Sequence, residues 1–438
     1  VFKLLQALGV PAALIYGKRD INVVGGTALT INMAAAALLV TIMIAASPFL
    51  ARLGGDPVIG EVAAVLSLGL LFTAAGSVQR ALLMKELAFR RKFLPDVVAV
   101  ILEGIVAATL ALLGFGVWSL VAGYLTLTLT ETLLLWLVSP IRPAPRFDRA
   151  IARELVGYGK HVSFSSVLGS SANNVDYLII GASLGSFSLG IYTMAFLIAG
   201  LPHSAISQVV KTAMFPAYSR LRDDINGLTR LFEDVFTLVW SLSIAAGLVI
   251  FIAGPPYMSM LLGPEWNSIE EPLRILAIYG VVRSIGAVFS PAYMALGRPQ
   301  TDWWFTSLRL VLVVPLMLFM VRFGVNGVAS VHVIVFGILV PANAIVFSRV
   351  SGISTARLLR LVAPQAVGVG GAALVLLGIA VMPGLAPLES SLLGPFIVTI
   401  VCLSIYAAAV LYFHRSVLAH VQRLLVRLRR RHAMTPAA

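Results

Sequence analysis

Nine ionisable side chains stand inside apolar runs of the sequence: Lys3, Arg80, Glu103, Glu131, Asp176, His203, Arg283, Arg309 and His332. A charge at the centre of a hydrocarbon layer costs at least about 2.5–3.5 kcal/mol, so such groups normally face a protein interior, a partner or water. Arg283 falls near the middle of its run, too deep to snorkel to an interface, and is the best-placed cation for an anionic ligand. Arg80 and Arg309 lie nearer the ends of theirs, where snorkelling competes with a binding role. Glu103 is central, while Glu131 and Asp176 are off-centre. Internal ion pairing is the commonest fate of such carboxylates. His203 and His332 read as hydrogen-bonded packing residues ahead of proton carriers, and the depth of Lys3 depends on what precedes it.

A second constellation is the polar run "KHVSFSSVLGSSANNVDYLIIGA" at 160–182. Ser166, Ser170, Asn173 and Asn174 recur there at three- and four-residue spacing, which lines hydroxyls and amides along one helical face. Hydrogen bonding between helices is one use of such a face. Lining a path for a polyhydroxylated ligand is the other.

The elements that must position these groups are membrane spans. Of 438 residues, 59% are hydrophobic and only 12% charged, against about 25% charged in a soluble domain. Apolar segments recur at about 20 residues, the length that crosses a bilayer core as a helix. A partial span occupies 1–16. Twelve fuller ones lie near 27–50, 62–82, 95–114, 117–138, 160–182, 187–209, 235–254, 272–296, 303–321, 325–347, 361–383 and 392–412. The single Cys402 excludes an intrachain disulfide.

The net charge of +13 does not point to nucleic acid, because Lys and Arg crowd alternate loops. Lys85 to Lys92, Arg142 to Arg153, Arg220 to Arg230, Arg298, and Arg349 to Arg360 form one set; Arg52, Arg274 and Arg322 form the sparse other. The positive-inside rule puts the rich set and the C-terminus in the cytoplasm. The tail from His414 is either a basic amphipathic helix on anionic headgroups or a stop-transfer flank.

Four landmarks recur in order. Pro11 matches Pro216, and Pro48 matches Pro255. Gly76, Val78 and Met84 match Gly286, Val288 and Met294. "FGVWSLVA" at 115–122 matches "FGVNGVAS" at 323–330. The chain is therefore expected to be an all-α polytopic membrane protein of two pseudo-repeated six-helix bundles, the first N-terminally truncated, plus two C-terminal helices. The expected boundaries are 1–140, 150–348, 357–413 for the extra pair, and a basic tail over 414–438. By the repeat, about fifty residues, one and a half helices, precede residue 1 in a parent of fourteen spans. Repeats of even span number are related by an axis along the membrane normal, the layout of alternating-access transporters.

Several functions are disfavoured. No G-x-x-x-x-G-K-[ST] phosphate loop occurs, and no large loop offers room for a polytopic glycosyltransferase. Asp223 and Asp224 read as solvated charges that offset Arg220 and Arg222 at a helix end.

The stretches "VQRALLMKELAFRRKF" (78–93), "LGFGVWSLVAG" (113–123), "NNVDYLIIGASLGSFSLGIYTMAF" (173–196), "MFPAYSRLRDD" (214–224), "LLGPEWNSIEEPLRILAIYG" (261–280) and "AYMALGRP" (292–299) resemble the polysaccharide-transport flippases. The nearest likeness is to the O-antigen and colanic-acid repeat-unit (Wzx-type) branch of the multidrug/oligosaccharidyl-lipid/polysaccharide exporter superfamily. The resemblance implies alternating access that moves undecaprenyl-diphosphate-linked oligosaccharide from the cytoplasmic to the periplasmic leaflet of a bacterial inner membrane. Arg283, Arg80, Arg309 and Lys3 would then suit the diphosphate, because guanidinium forks match phosphate oxygens. Ser166, Ser170, Asn173 and Asn174 would suit the sugar. Asp176 matches the family's recurrent acidic position in this span, with Glu103 and Glu131 sharing an ion-coupling or structural role. The implied partners are membrane lipids and polysaccharide polymerase machinery, with no cofactor, no metal, no nucleic acid and no enzymatic step. A lipid II-type peptidoglycan-precursor flippase and a cation-coupled multidrug exporter are the related alternatives.

Overall fold

The computed structural model describes residues 10, 14, 21–86, 88–140, 142–157, 174–221, 224–381 and 393–413. The partial span at 1–16, most of the polar run and the basic tail lie outside them. The regular elements among the described residues are all helices, and the chain divides into two compact units, Val1–Val175 and Asp176–Ala438.

The first unit contains α1 (Ile21–Gly54), α2 (Pro57–Ser67), α3 (Gly69–Lys85), α4 (Phe89–Leu112) and α5 (Val117–Val138). The second contains α6 (Val175–Arg220), α7 (Ile225–Leu262), α8 (Glu270–Ala295), α9 (Pro299–Met320), α10 (Gly324–Ser351), α11 (Thr355–Val381) and α12 (Gly394–Phe413). Local chemistry sets several of the ends. Asp56 accepts a hydrogen bond from the Val58 amide at 2.9 Å, with Pro57 opening α2 behind it. Asp224 caps α7 by accepting from the Gly227 amide at 3.0 Å, so this aspartate belongs to a helix end, as its sequence context implied. Gly352, at φ 76°, closes α10 in the left-handed region that glycine tolerates.

Among the described residues, ten stretches are long and apolar enough to cross a membrane. Several of these are interrupted, as Pro57–Lys85 is at Leu68 between α2 and α3. The stretch across 300–351 breaks between α9 and α10 at Val321–Phe323. The 46-residue α6 is interrupted at Gly185, whose φ of 84° and ψ of 177° are non-helical. A straight helix would separate Asp176 and Tyr192 by roughly 24 Å, yet the Tyr192 hydroxyl lies 2.8 Å from the Asp176 carboxylate. The element is therefore a hairpin whose second leg returns along the first. The spans expected at 160–182 and 187–209 are its two legs, so far as the first is described.

Within each unit the helices pair in the same order. α1 packs on α3, α3 on α5, and α4 on α5; likewise α7 packs on α8, α8 on α10, and α9 on α10. The landmarks of the repeat occupy matching places in this scheme. Gly76 of α3 faces Thr132 of α5, and Gly286 of α8 faces Val340 of α10. Gly116 and Gly324 carry positive φ, 53° and 72°, where α5 and α10 begin. Pro48 and Pro255 stand inside α1 and α7.

The first unit's core joins Val24, Ala28 and Leu29 of α1 to Val78, Ala81 and Leu82 of α3. In the second, Phe232, Phe236, Phe289, Tyr293 and Phe347 knit α7, α8 and α10, with Phe232 stacked on Phe347 at 4.2 Å. The additional pair α11 and α12 is fixed to α7. Ile252 packs with Ala372, Val398 and Cys402, and the Tyr406 hydroxyl donates to the Ser241 carbonyl at 3.1 Å. The Arg357 guanidinium donates to the Glu233 carboxylate at 2.9 Å. Large apolar side chains such as Leu112, Leu133, Leu318 and Leu374 stay exposed, as expected where the surrounding solvent is lipid.

Close helix approach makes one glycine indispensable. A Cβ on Gly280 would stand 2.3 Å from the Ala199 carbonyl oxygen of α6, and that backbone atom cannot swing aside. Gly280→Ala is expected to cost about 1–3 kcal/mol, read as a lower melting temperature in detergent. Gly286→Ala, whose nearest foreign atom is 3.8 Å away, should leave it unchanged; equal melting of the two variants contradicts this packing.

Candidate functional site

In the first unit, Arg80 of α3 meets Glu131 of α5 in an ion pair. The two side chains keep 35% and 19% of their exposure, so water or a ligand still reaches the guanidinium. Beside it Gln79 is buried, with both amide atoms unpartnered among the described residues. Glu103 of α4 is half-buried and joins no ion pair there. Lys3 lies outside the described residues.

The second unit gathers a denser set. Asp176 is 2% exposed and accepts hydrogen bonds from its neighbour's amide, Tyr177 N, at 3.0 Å and from the Tyr192 hydroxyl at 2.8 Å. The His332 Nε2 atom of α10 lies 3.0 Å from that hydroxyl oxygen and 3.4 Å from the carboxylate. Asp176, Tyr192 and His332 thus close a buried triangle that ties both legs of the α6 hairpin to α10.

Aromatic rings surround the triangle. Tyr279 of α8 stacks on the His332 imidazole with centroids 4.6 Å apart and planes at 27°. Phe196 of α6 lies 5.6 Å from the imidazole and 5.7 Å from Tyr279. At the edge of this cluster stand two guanidiniums. Arg283 lies 5.6 Å from the Tyr279 centroid and 6.0 Å from that of Phe196, and Arg309 of α9 lies 5.8 Å from Phe336. Phe336 in turn meets Tyr279 edge-on at 5.1 Å. Arg283 makes no ion pair among the described residues.

In such a patch, guanidiniums over aromatic faces gain cation–π stabilisation. Guanidinium groups are chemically matched to phosphate oxygens, and flat ring faces to the apolar faces of sugars.

Three helices build the patch by one rule. Each presents two residues four apart on one face: Tyr192 and Phe196 on α6, Tyr279 and Arg283 on α8, His332 and Phe336 on α10. The sequence reading found Asp176, Arg283 and Arg309 and treated His332 as packing; it passed over Tyr192, Phe196, Tyr279 and Phe336, whose four-residue spacing was the available signal. Of the polar run, Asn174 stands half-buried just before α6, whereas Ser166, Ser170 and Asn173 lie outside the described residues. His203 hydrogen-bonds Ser207 on its own helix, with its Nδ1 at 3.1 Å from the hydroxyl oxygen.

The class that this architecture defines is a multi-pass, all-helical membrane fold. Two solved structures share the fold. The lipid II flippase MurJ in an inward closed conformation superposes with a TM-score of 0.70 at 13% identity, covering 95% of this chain and 89% of that one. An inward-facing multidrug-resistance MATE family transporter superposes with a TM-score of 0.62 at 18% identity, covering 81% and 88%. The family described as polysaccharide biosynthesis protein matches residues 1–271, more than half of the chain, and the chain belongs to it.

Among curated relatives, the lipopolysaccharide biosynthesis protein WzxC of Escherichia coli K12 is 23% identical over 317 residues, 71% of this chain and 64% of its own length. The succinoglycan biosynthesis transport protein ExoT of Rhizobium meliloti 1021 is 24% identical over 314 residues, 70% and 62%. The teichuronic acid biosynthesis protein TuaB of Bacillus subtilis 168 is 21% identical, over 70% and 64%. The chain spans just under two-thirds of the length of these relatives.

The Tyr192 hydroxyl is the shared atom of the buried triangle, so its removal leaves a carboxylate and an imidazole each short of a partner. Tyr192→Phe is expected to cost about 1–3 kcal/mol, measured by thermal or denaturant unfolding. Melting like that of the wild type would show that the hydroxyl does not hold the α6 hairpin to α10.

Proposed function

We propose that the protein of which this chain is part flips polyprenyl-diphosphate-linked oligosaccharide repeat units from the cytoplasmic to the periplasmic leaflet of a bacterial inner membrane, by alternating access. The observation that carries this reading is the paired guanidinium and aromatic surface of Arg283, Arg309, Tyr279, Phe196 and Phe336, in a chain of a polysaccharide biosynthesis family. A diphosphate carries about two negative charges and a glycan carries many hydroxyls, and neither tolerates hydrocarbon. The guanidinium forks replace the water around the phosphates, the rings cover the sugar, and the polyprenyl tail stays in lipid.

In this reading Arg283 is the principal anion contact, because no carboxylate among the described residues pairs with it, and Arg309 is the second. Arg80 contributes through the part of its guanidinium that Glu131 leaves accessible, and Lys3 remains a further candidate. Ser166, Ser170, Asn173 and Asn174 are assigned to the sugar, and Glu103 to ion coupling or structure. The C-terminus lies in the cytoplasm, consistent with the loops rich in Arg and Lys. The protein transports without making or breaking covalent bonds and hands its cargo to polymerase machinery on the far side. Outward movement of a dianion also runs with an inside-negative potential, worth roughly 2.3 kcal/mol per charge per 100 mV.

The names of the relatives favour polysaccharide repeat units over the two other readings of this scaffold. Lipid II is the cargo named for MurJ, and multidrug resistance is the property named for the MATE transporter, but both likenesses are of fold. A basic patch also suits a lipid-linked anion better than a lipophilic cation.

The test is made in cells that carry the whole gene. Arg283→Ala is expected to abolish export of the glycan with normal amounts of protein in the membrane, and Arg283→Lys to restore only part of it, since lysine keeps the charge but not the fork. Wild-type export by Arg283→Ala would remove this residue from the site.

A further inference from the structure

Where α11 and α12 join α7 and α8, the second unit holds a cavity of about 250 Å³. Phe251, Pro255 and Ser259 of α7, Glu270 and Arg274 of α8, and Val398 of α12 are among its walls. A larger hollow of about 370 Å³ shares Phe251 and Leu376 with it and reaches Trp240 between α7, α8 and α11. The lining of this second hollow is apolar, with Ile244, Val281 and Val369 among its side chains. The two make one site with a polar mouth and an apolar groove. From Trp240 to Phe251 the groove follows α7 for roughly 16 Å, close to half of a hydrocarbon core of about 30 Å. It is as long as one leaflet is deep.

The mouth carries both signs of charge and several acceptors. Arg274 Nη2 pairs with Glu270 Oε1 at 2.8 Å, and the guanidinium lies 5.8 Å from the Phe251 ring centroid. The Arg274 Nε–H is buried and has no hydrogen-bond partner among the described residues, so one donor of the fork is unused. A carboxylate has about four lone-pair sites, so Glu270 can accept beyond its bond to Arg274. Pro255 and Pro256 stand inside α7 and bring no N–H. The carbonyls of Phe251 and Ile252, four residues earlier, therefore lose their helical donors. Both of these residues line the cavity. A ligand that fits must bring a negative group for Arg274, N–H donors for the acceptors and an apolar chain for the groove.

We propose that this site holds one membrane phospholipid with a primary-amine headgroup, of the phosphatidylethanolamine type. Its phosphate meets Arg274, its ammonium meets Glu270, Ser259 and the two freed carbonyls, and one acyl chain lies in the groove. One guanidinium balanced by one carboxylate suits a zwitterion and disfavours a dianion, which separates this lipid from a diphosphate-linked cargo. The bound lipid acts as a filler in the joint that holds α11 and α12 to the bundle, beside the packing of Ile252 with Ala372, Val398 and Cys402.

The test uses the purified full-length protein in detergent, stripped of lipid and titrated with single lipids of matched acyl chains, with bound lipid counted by native mass spectrometry. Phosphatidylethanolamine is expected to occupy one site about tenfold more tightly than phosphatidylcholine or phosphatidylglycerol. Phosphatidylcholine has the same charges without an N–H, and phosphatidylglycerol is an anion without an ammonium. That comparison needs no variant. Glu270→Gln should lower the affinity for phosphatidylethanolamine to that for phosphatidylcholine, and Arg274→Gln should weaken the binding of all three. Both side chains are nearly half exposed, so neither change threatens the fold, and melting without lipid checks this. Equal retention of the three lipids, or wild-type retention of phosphatidylethanolamine by either variant, would mean unspecific lipid around the helices and overturns the proposal. No glycan lipid enters the measurement, so its outcome is independent of the export reading.

Discussion

A charge placed in hydrocarbon must be answered within the protein, and this constraint organises the described structure. Its deep ionisable groups meet it in different ways. Arg80 is answered by Glu131 across α3 and α5. Asp176 is answered by a hydroxyl, an amide and an imidazole. Arg283 meets ring faces and, among the described residues, no carboxylate, a weaker compensation than an ion pair provides. The last two therefore differ: Asp176 sits within a closed polar cluster, and Arg283 at the edge of an aromatic one.

The hairpin at Gly185 makes the closed cluster possible. Without a residue tolerant of φ 84° the chain would run on as one helix, and Asp176 and Tyr192 would stand several turns apart. Folding the legs together places both on the face that α10 brings His332 to. The close approach of Gly280 to Ala199 then sets α8 against the second leg, so Tyr279 and Arg283 reach the same place. Backbone freedom at one glycine and the missing side chain at another thus position groups whose chemistry is unrelated to glycine.

Much of this architecture could be read from the residues. Span lengths follow from apolar runs, and the repeat was visible because the glycines at 116 and 324 and the prolines at 48 and 255 answer backbone demands that recur in both halves. The site was legible only in part. Arg283, Arg309 and Asp176 are conspicuous because charge is rare in such runs. The link between Asp176 and His332 crosses 156 residues, and periodicity carries no information at that range. Tyr192, Tyr279 and the phenylalanines were passed over for a different reason: in an apolar helix an aromatic residue has the same pattern whether it faces lipid, core or ligand. Only the convergence of α6, α8 and α10 distinguishes those cases.

The central claim is that this scaffold moves a lipid-linked anionic glycan across the bilayer, and a reconstituted system tests it most directly. Purified full-length protein in liposomes would be given a fluorescent polyprenyl-diphosphate oligosaccharide, and the label in the inner leaflet would be followed with a membrane-impermeant quencher. The account predicts that inner-leaflet label becomes accessible far faster with the protein than in protein-free liposomes, and that a lipophilic cation is not carried. Glycan lipid that stays in its leaflet while the cation is transported would contradict it.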